Sequence, residues 1–204
     1  MEIMLVYTGV LQENCYIVYN EIDKRGFVID PGDEFEKIKK YVDSKNIDVQ
    51  YVLVTHGHYD HVGAVAGFQK AGAKVYMSKA DESKICSPNI QSYNNHGVEK
   101  FTIDTYVKDG DMLDLCGYKV KVVATPGHSV GGVCYILDDM IFCGDTLFRK
   151  SFGRYDFPDG DFKVLSASIE KLFALEGNYT LLCGHGETSE LDFERKYNPI
   201  RNYL

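Results

Sequence analysis

His56-Gly57-His58-Tyr59-Asp60-His61 places four side chains that can bind a metal within six residues. The stretch follows the apolar run Tyr51-Val52-Leu53-Val54, which is typical of a β-strand. Side chains two apart in an extended segment lie on the same side, so the first two histidines project together. Imidazole nitrogen with some carboxylate oxygen is the ligand set that divalent metals such as zinc prefer. The stretch therefore predicts a metal-binding loop at the edge of a sheet.

Three further candidate ligands, His128, Asp145 and His185, stand in similar settings later in the chain. Each follows an apolar, strand-like run and has glycine beside it, in the segments Thr125-Pro126-Gly127-His128-Ser129, Cys143-Gly144-Asp145-Thr146 and Cys183-Gly184-His185-Gly186. Glycine permits the backbone angles that aim a neighbouring side chain inward at a strand end. We therefore expect these residues to join the first loop in one metal site.

The order of the predicted elements indicates an α+β fold. Short apolar runs separated by turn residues predict strands at 3–8, 15–19, 26–30, 51–54, 74–77, 112–115, 118–124, 131–137, 140–143 and 181–182. Helical spacing predicts helices at 34–43, 62–70, 162–175 and 187–196, and Ser78 to Glu82 is typical of a capped helix start. The polar residues 86–100 predict a surface loop, and His96 within it is expected to be solvated. Two mixed β-sheets flanked by helices account for this order, and we expect a single domain over residues 1–204.

Composition excludes several classes of function. The formal net charge of −8, without a lysine- or arginine-rich block, argues against nucleic-acid binding. No apolar run approaches transmembrane length, and the first residues lack the features of a signal peptide. The six cysteines form no Cys-x-x-Cys pair, and buried thiols of this kind suit a reducing cytosol. We therefore expect a cytoplasmic protein with neither a nucleic-acid nor a membrane partner.

Taken together, these segments resemble the metallo-β-lactamase superfamily. The family's order is His-x-His-x-Asp-His, then Thr-Pro-Gly-His, then Gly-Asp-Thr-Leu-Phe, then Gly-His, and this chain has all four. The segments Asp30-Pro31-Gly32, Thr125 to Ser129 and Gly144 to Phe148 are similar to the glyoxalase II-like branch. The resemblance covers essentially the whole chain, and it implies an αββα sandwich with a dinuclear metal site along one edge.

The resemblance also implies a role for each candidate residue. One metal would be held by His56, His58 and His128. The other would be held by Asp60, His61 and His185. Asp145 would bridge the two ions, and Asp30 would orient a ligand imidazole. The resemblance thus implies two divalent ions, with zinc favoured and iron or manganese as alternatives. Asp60 is the expected catalytic residue because it can both bind metal and orient the attacking hydroxide.

The chain departs from full-length glyoxalase II at the substrate side. Those enzymes carry a C-terminal helical extension that supplies basic residues for glutathione, whereas this chain stops at Leu204. Their glycine-lysine-aromatic-aromatic segment, which contacts glutathione, appears here as Gly153-Arg154-Tyr155-Asp156. Arg154 and Tyr155 are therefore the candidate substrate-binding residues, although Arg154 could instead belong to a solvated rim. The resemblance does not imply glutathione as the thiol.

The expected function is that of a metal-dependent hydrolase of thioesters. A metal-bridging hydroxide would attack the carbonyl and release a hydroxyacid and a thiol. A thiol has a pKa of about 8.5, so it can leave as a thiolate with little protonation. This leaving group suits a site without a strong general acid. The alternatives are a persulfide dioxygenase with a single iron, a lactone or phosphodiester hydrolase, and a redox or scaffolding domain without enzymatic activity. The expected partner is a small-molecule thioester, while the oligomeric state and the role of residues 86–100 stay open.

Overall fold

The computed structural model describes residues 1–86 and 98–204. Most of the predicted surface loop at 86–100, including His96, lies outside the described residues. Within the described ranges, no helix is long and apolar enough to cross a membrane.

The first sheet has six strands in sequence order. They are β1 Glu2–Thr8, β2 Glu13–Tyr19, β3 Arg25–Ile29, β4 Asp48–Leu53, β5 Lys74–Ser78 and β6 Thr105–Val107. The first three pair antiparallel, and β3 to β6 pair parallel, so this sheet is mixed. The parallel arrangement brings the carboxyl ends of β3 and β4 to the same edge of the sheet.

The second sheet also has six strands and is also mixed. Its members are β7 Met112–Leu115, β8 Tyr118–Ala124, β9 Val133–Leu137, β10 Met140–Gly144, β13 Thr180–Cys183 and β14 Ser189–Glu190. They lie in the order β14-β13-β10-β9-β8-β7. The pair β10 and β13 is parallel, and the remaining neighbours are antiparallel. A small hairpin, β11 Leu147–Phe148 and β12 Ser151–Phe152, follows β10.

Helices cover the outer face of each sheet. They are α1 Phe35–Ser44, α2 Tyr59–Val62, α3 Val65–Lys70, α4 Glu82–Cys86, α5 Phe162–Phe173 and α6 Leu191–Tyr197, with 3₁₀ turns at Lys79–Asp81 and Pro199–Asn202. Asp161 directly precedes α5, and its carboxylate accepts the N–H groups of Lys163 and Val164 and so caps the first turn.

Three apolar clusters fill the spaces between the four layers. Strand β9 contributes side chains to two of these clusters. Val133, Tyr135 and Leu137 pack between the sheets, whereas Cys134 and Ile136 face α5. Alternation along a strand produces this division because successive side chains point to opposite faces. A third cluster lies between the first sheet and helices α1 and α3. The expected αββα arrangement of two mixed sheets flanked by helices is confirmed.

Two predicted helices differ from the structure for identifiable reasons. The helix expected at 62–70 is interrupted because Gly63 N–H donates to Gly32 O at 2.8 Å and Ala64 N–H donates to Pro31 O at 2.9 Å. These bonds to a distant turn divert the backbone between α2 and α3. The helix expected at 187–196 begins only at Leu191, because Ser189–Glu190 instead pairs with β13 as an edge strand.

The strand ends bring the candidate ligands to one edge of the sandwich. The 56–61 loop follows β4, while His128, Asp145 and His185 follow β8, β10 and β13. A hydrogen bond between the layers fixes this edge, because the hydroxyl of the buried Tyr135 donates to Val54 O at 2.9 Å. Val54, which lies between the end of β4 and the 56–61 loop, is thereby tied to the second sheet.

Candidate metal centre

Two groups of side chains converge at the shared edge, and the first consists of three histidines. Ligand atoms of His56, His58 and His128 lie within 4.8 Å of one another, and we name this group the first cluster. His58 Nδ1 and His128 Nε2 are 2.9 Å apart. His56 follows β4 after Val54 and Thr55 and is 2% exposed, so its imidazole enters the site from inside the protein.

The second cluster combines one carboxylate with two histidines. Ligand atoms of Asp60, His61 and His185 lie within 4.8 Å of one another. Asp60 Oδ2 is 3.2 Å from His185 Nε2 and 3.8 Å from His61 Nε2. Asp60 and His61 are presented by the short helix α2, and His185 is presented by the loop after β13.

Asp145 lies between the two clusters. Its Oδ1 is 3.4 Å from His61 Nε2 and 3.8 Å from His185 Nε2, and its Oδ2 is 3.5 Å from His128 Nε2. Each carboxylate oxygen thus faces a different cluster. Gly184 makes room for this approach, because a Cβ at that position would lie 2.5 Å from Asp145 Oδ1.

The polar atoms of the site fit divalent metal ions. Three buried atoms that face the clusters, His56 Nε2, His61 Nε2 and Asp145 Oδ1, have no hydrogen-bond partner among the described residues. Buried polar atoms of that kind are costly unless a ligand or ion satisfies them. Imidazoles and carboxylates grouped in two sets around a shared carboxylate are a donor set that suits zinc or iron.

Asp30 supports two imidazoles of the clusters, those of His61 and His56, from the side away from the site. Its Oδ1 accepts the Thr55 N–H at 2.7 Å, and its Oδ2 accepts the Thr55 hydroxyl at 2.5 Å and His61 Nδ1–H at 3.0 Å. Because the Thr55 hydroxyl donates its one hydrogen bond to Asp30, its oxygen accepts from His56 Nδ1–H at 3.0 Å. Asp30 also lies within 4.8 Å of ligand atoms of both histidines, but both of its oxygens are already hydrogen-bonded. This geometry suits an orienting residue rather than a ligand.

Backbone carbonyls orient two of the other histidines. His128 Nδ1 donates to Arg154 O at 2.7 Å, and His185 Nδ1 donates to Leu11 O at 3.2 Å. Because Nδ1 holds the proton in each case, Nε2 keeps its lone pair for the site. The His185 loop is tied further to β2, since Asn14 Nδ2 and the Tyr16 hydroxyl both donate to Cys183 O.

Electrostatics divide the histidines into two kinds. Burial lowers the pKa of His56 well below its usual value and lowers that of His58 to about 4. Burial also acts to lower the pKa of His61, but the carboxylates of Asp145, Asp30 and Asp60 outweigh it and raise that pKa well above its usual value. His61 is therefore a doubly protonated imidazolium at neutral pH, and a metal ion at the second cluster would have to displace one of its two ring protons.

The pKa values of the two carboxylates at the site, Asp145 and Asp60, are lowered. Burial opposes ionisation of Asp145, but the neighbouring His61, His128 and His185 lower its pKa. Burial likewise opposes ionisation of Asp60, but the contact with His185 and the charge of His61 together outweigh the burial and lower the pKa. Both carboxylates are therefore ionised at neutral pH and ready to bind cations.

The two candidate substrate-binding residues lie at the rim with other partners. The Arg154 guanidinium binds Asp156 through two bonds of 2.9 Å and lies over the Phe157 ring, 4.5 Å from its centroid. The Tyr155 ring packs against Phe162 at a centroid distance of 4.8 Å. The backbone of Arg154 contributes to the site through His128, whereas its side chain is paired within the chain.

Several residues near the site were missed by the sequence prediction. Phe157 packs its ring 4.8 Å from His58 and 5.5 Å from His128, forming an aromatic wall beside the first cluster. Glu13 is fully buried with Oε1 3.9 Å from His61 Nδ1, and burial raises its pKa well above the usual value. Asp81 is buried against the ligand loops. Glu13 lies in an apolar strand and Asp81 at a helix start, so neither carries a motif that could have revealed it.

Known proteins share this architecture along its whole length. The model of the metallo-beta-lactamase superfamily matches residues 8–185. Hydroxyacylglutathione hydrolase GloC of Haemophilus influenzae is 30% identical over 210 residues, which cover 99% of each chain.

Solved structures agree with this match. The BLEG-1 B3 metallo-beta-lactamase has a TM-score of 0.90 and 28% identity, covering 97% of this chain and 98% of its own. TTHA1623 in a di-iron-bound form has a TM-score of 0.84 and 34% identity, covering 98% of this chain and 100% of its own. ETHE1 from Myxococcus xanthus, at 24% identity and a TM-score of 0.83 over 98% of this chain and 84% of its own, shares the fold. The chain therefore belongs to the metallo-β-lactamase superfamily, as one of its metallo-hydrolases.

Proposed function

We propose that this protein hydrolyses thioesters with two divalent metal ions. The observation that carries the proposal is Asp145, whose two oxygens face two separate ligand clusters. The first cluster would hold one ion, the second cluster would hold the other, and Asp145 would bridge them. Ions held there would lower the pKa of water and polarise a carbonyl oxygen.

Asp60 would act on the attacking water from within the second cluster. Its Oδ2 lies 3.2 Å from His185 Nε2, which fixes the direction of the carboxylate. An ionised carboxylate only accepts hydrogen bonds, so it can orient the water and take up its proton. The titratable side chains of the two clusters and Asp145 are imidazoles and carboxylates that would bind the ions, so the clusters offer no strong general acid for the leaving group. A thiolate needs little protonation as it leaves, which favours thioesters over amides.

The similarity to GloC supports a hydroxyacyl thioester as the substrate class, and the rim favours a thiol with little negative charge. The cation best placed for a substrate carboxylate, Arg154, is paired with Asp156. A second rim cation, Arg149, is paired with Glu187 at 2.7 Å. A substrate carboxylate must compete with these internal carboxylates, whereas the Phe157 ring offers an apolar surface beside the first cluster. We therefore propose a weaker preference for anionic thiols such as glutathione than full-length glyoxalase II has.

Zinc stays the favoured metal, with iron and manganese as alternatives. The donor set suits zinc or iron, and TTHA1623, at 34% identity, is a di-iron-bound relative. The second cluster is complete in this chain, which supports a dinuclear hydrolase over a single-iron persulfide dioxygenase. A small-molecule substrate and a cytoplasmic location stay predictions from the sequence.

The test pairs metal analysis with turnover. Protein purified without chelator should approach two ions per chain, and hydrolysis of S-lactoylglutathione and of neutral thioesters should disappear on chelation. Activity should return when zinc, iron or manganese is added back. Asp104 accepts the N–H of Val75 at 2.8 Å and lies outside the ligand loops. The control variant Asp104→Asn should therefore match wild type in metal content and in turnover. A content of one metal ion per chain that does not rise when metal is added, together with oxygen uptake on glutathione persulfide and no thioester turnover, would show a dioxygenase instead.

A further inference from the structure

One buried carboxylate outside the ligand set contacts both loops that carry the first cluster. Asp81 is fully buried at the end of the 3₁₀ turn before α4. Its Oδ2 accepts the Gly57 N–H and the Ser129 hydroxyl, each at 2.8 Å. Its Oδ1 accepts the Gly131 N–H at 2.7 Å and the Lys84 ammonium at 3.2 Å.

The bonded segments carry all three ligands of the first cluster. Gly57 lies between His56 and His58, and Ser129 follows His128 directly. The carboxylate therefore joins a loop of the first sheet to a loop of the second. None of its four hydrogen bonds goes to a residue of the second cluster.

The surroundings of Asp81 are built for a charged carboxylate. A Cβ at position 131 would lie 2.7 Å from Asp81 Cγ and Oδ1, so glycine is needed there for the close approach. Lys84, which is 8% exposed, compensates the buried charge and also binds Asp159 Oδ2 at 2.5 Å. Asp159 in turn accepts the Val130 N–H at 3.2 Å, so the same loop is held twice.

We propose that Asp81 is a positioning residue for the first metal cluster. By holding the backbone at Gly57 and Gly131, it sets the distance between the His56–His58 pair and His128. An ionised carboxylate accepts hydrogen bonds at both oxygens, which matches the four donors around it. An amide presents an NH₂ group to either the Gly57 N–H or the Gly131 N–H, whichever way it turns, and so releases one of the two loops.

The inference rests on the metal-binding roles proposed above and not on the thioester substrate. It is therefore tested on the metal-free protein, without turnover. Histidine rings labelled with ¹⁵N are followed by NMR while zinc is added, which reports separately on each ligand imidazole. Wild type, Asp81→Asn and Asp104→Asn are compared, because Asp104 accepts the backbone N–H of Val75 in β5, outside the ligand loops.

In Asp81→Asn, the zinc affinity reported by His56, His58 and His128 should fall about 10-fold or more, the usual effect of removing a partner that supports metal ligands. The rings of His61 and His185 should respond at nearly the wild-type zinc concentration, and Asp104→Asn should match wild type at all five. An equal loss in both clusters would mean that Asp81 serves only the fold, and an unchanged first cluster would exclude any role in positioning. Either result overturns the proposal.

A gentler substitution keeps the test decisive if Asp81→Asn does not fold. Ser129→Ala removes one donor while leaving the carboxylate, its charge and both backbone bonds in place. The same three rings should then report a smaller but selective loss of zinc affinity. Unchanged zinc affinity at all three would overturn the proposal.

Discussion

Replacing Asp30 with asparagine is expected to weaken both metal clusters at once, because this carboxylate fixes the tautomers of two ligand imidazoles. It accepts directly from His61 Nδ1–H, and through the Thr55 hydroxyl it fixes His56 Nδ1–H. His56 belongs to the first cluster and His61 to the second. The Nε2 atom of each ring has a lone pair for a metal ion only while the ring proton is on Nδ1.

The magnitude follows from the two orientations of the asparagine amide. With its oxygen on the Thr55 N–H, its NH₂ group faces the Thr55 hydroxyl and His61 Nδ1, so both must accept. The ring protons of His61 and His56 then move to Nε2, and lost support of this kind costs about 10–100-fold in metal affinity, or about 1.4–2.7 kcal/mol per ion. In the reverse orientation the buried Thr55 N–H is left without an acceptor, which costs about 1–3 kcal/mol of folding stability.

The assay measures both quantities. Competition with a chromophoric chelator gives the affinity of each ion, and urea unfolding of the metal-free protein gives the free energy of unfolding. Asp104→Asn again serves as the control for loss of a carboxylate that accepts a backbone N–H. If Asp30→Asn keeps both affinities and the unfolding free energy of wild type, the reasoning is refuted. If only the ion of the second cluster is weakened, the relay through Thr55 to His56 is refuted.

Three other predictions test the remaining geometry by substitution. Asp145→Ala should lower the metal content and thermal midpoint more than Asp60→Ala does, because Asp145 faces both clusters; an equal or smaller loss by elemental analysis and melting would contradict the bridge. Gly184→Ala should reduce metal content, because its Cβ would lie 2.5 Å from Asp145 Oδ1, and full occupancy by elemental analysis would argue against that steric limit. Asp156→Asn should free Arg154 and lower the KM for anionic thioesters but not for neutral ones, whereas Arg154→Ala should raise KM more than it lowers kcat. Steady-state kinetics on both substrate types decide this, and equal shifts for the two would exclude Arg154 as an anchor.

The sequence predicted the layers and the convergence of the candidate ligands because both depend on local signals. Each candidate ligand follows an apolar strand, and alternation along strands such as β9 indicates which faces are buried. The break after α2 was not predictable, since it depends on hydrogen bonds to Pro31 and Gly32, about thirty residues away. The contacts of Asp81 are equally remote, joining positions 57, 129 and 131.

The rim shows the same limit of local reasoning. A motif can indicate that Arg154 stands near the site, but its ion pair with Asp156 depends on rotamers that the sequence does not specify. The strand Ser189–Glu190 is only two residues long, so periodicity gives no signal, and its pairing with β13 depends on the neighbouring edge.

The distribution of the candidate ligands along the chain has a consequence for biosynthesis. Four of them lie between positions 56 and 61 in the first sheet's half, and the others follow at 128, 145 and 185 in the second. Because a chain emerges from the ribosome with its N-terminal part first, the early loop appears long before its partners. A nascent chain up to position 61 carries two histidines of the first cluster without the third, and lacks the shared carboxylate. Tight metal binding is therefore a property of the finished fold, and we expect metal loading to follow synthesis rather than to guide its first half.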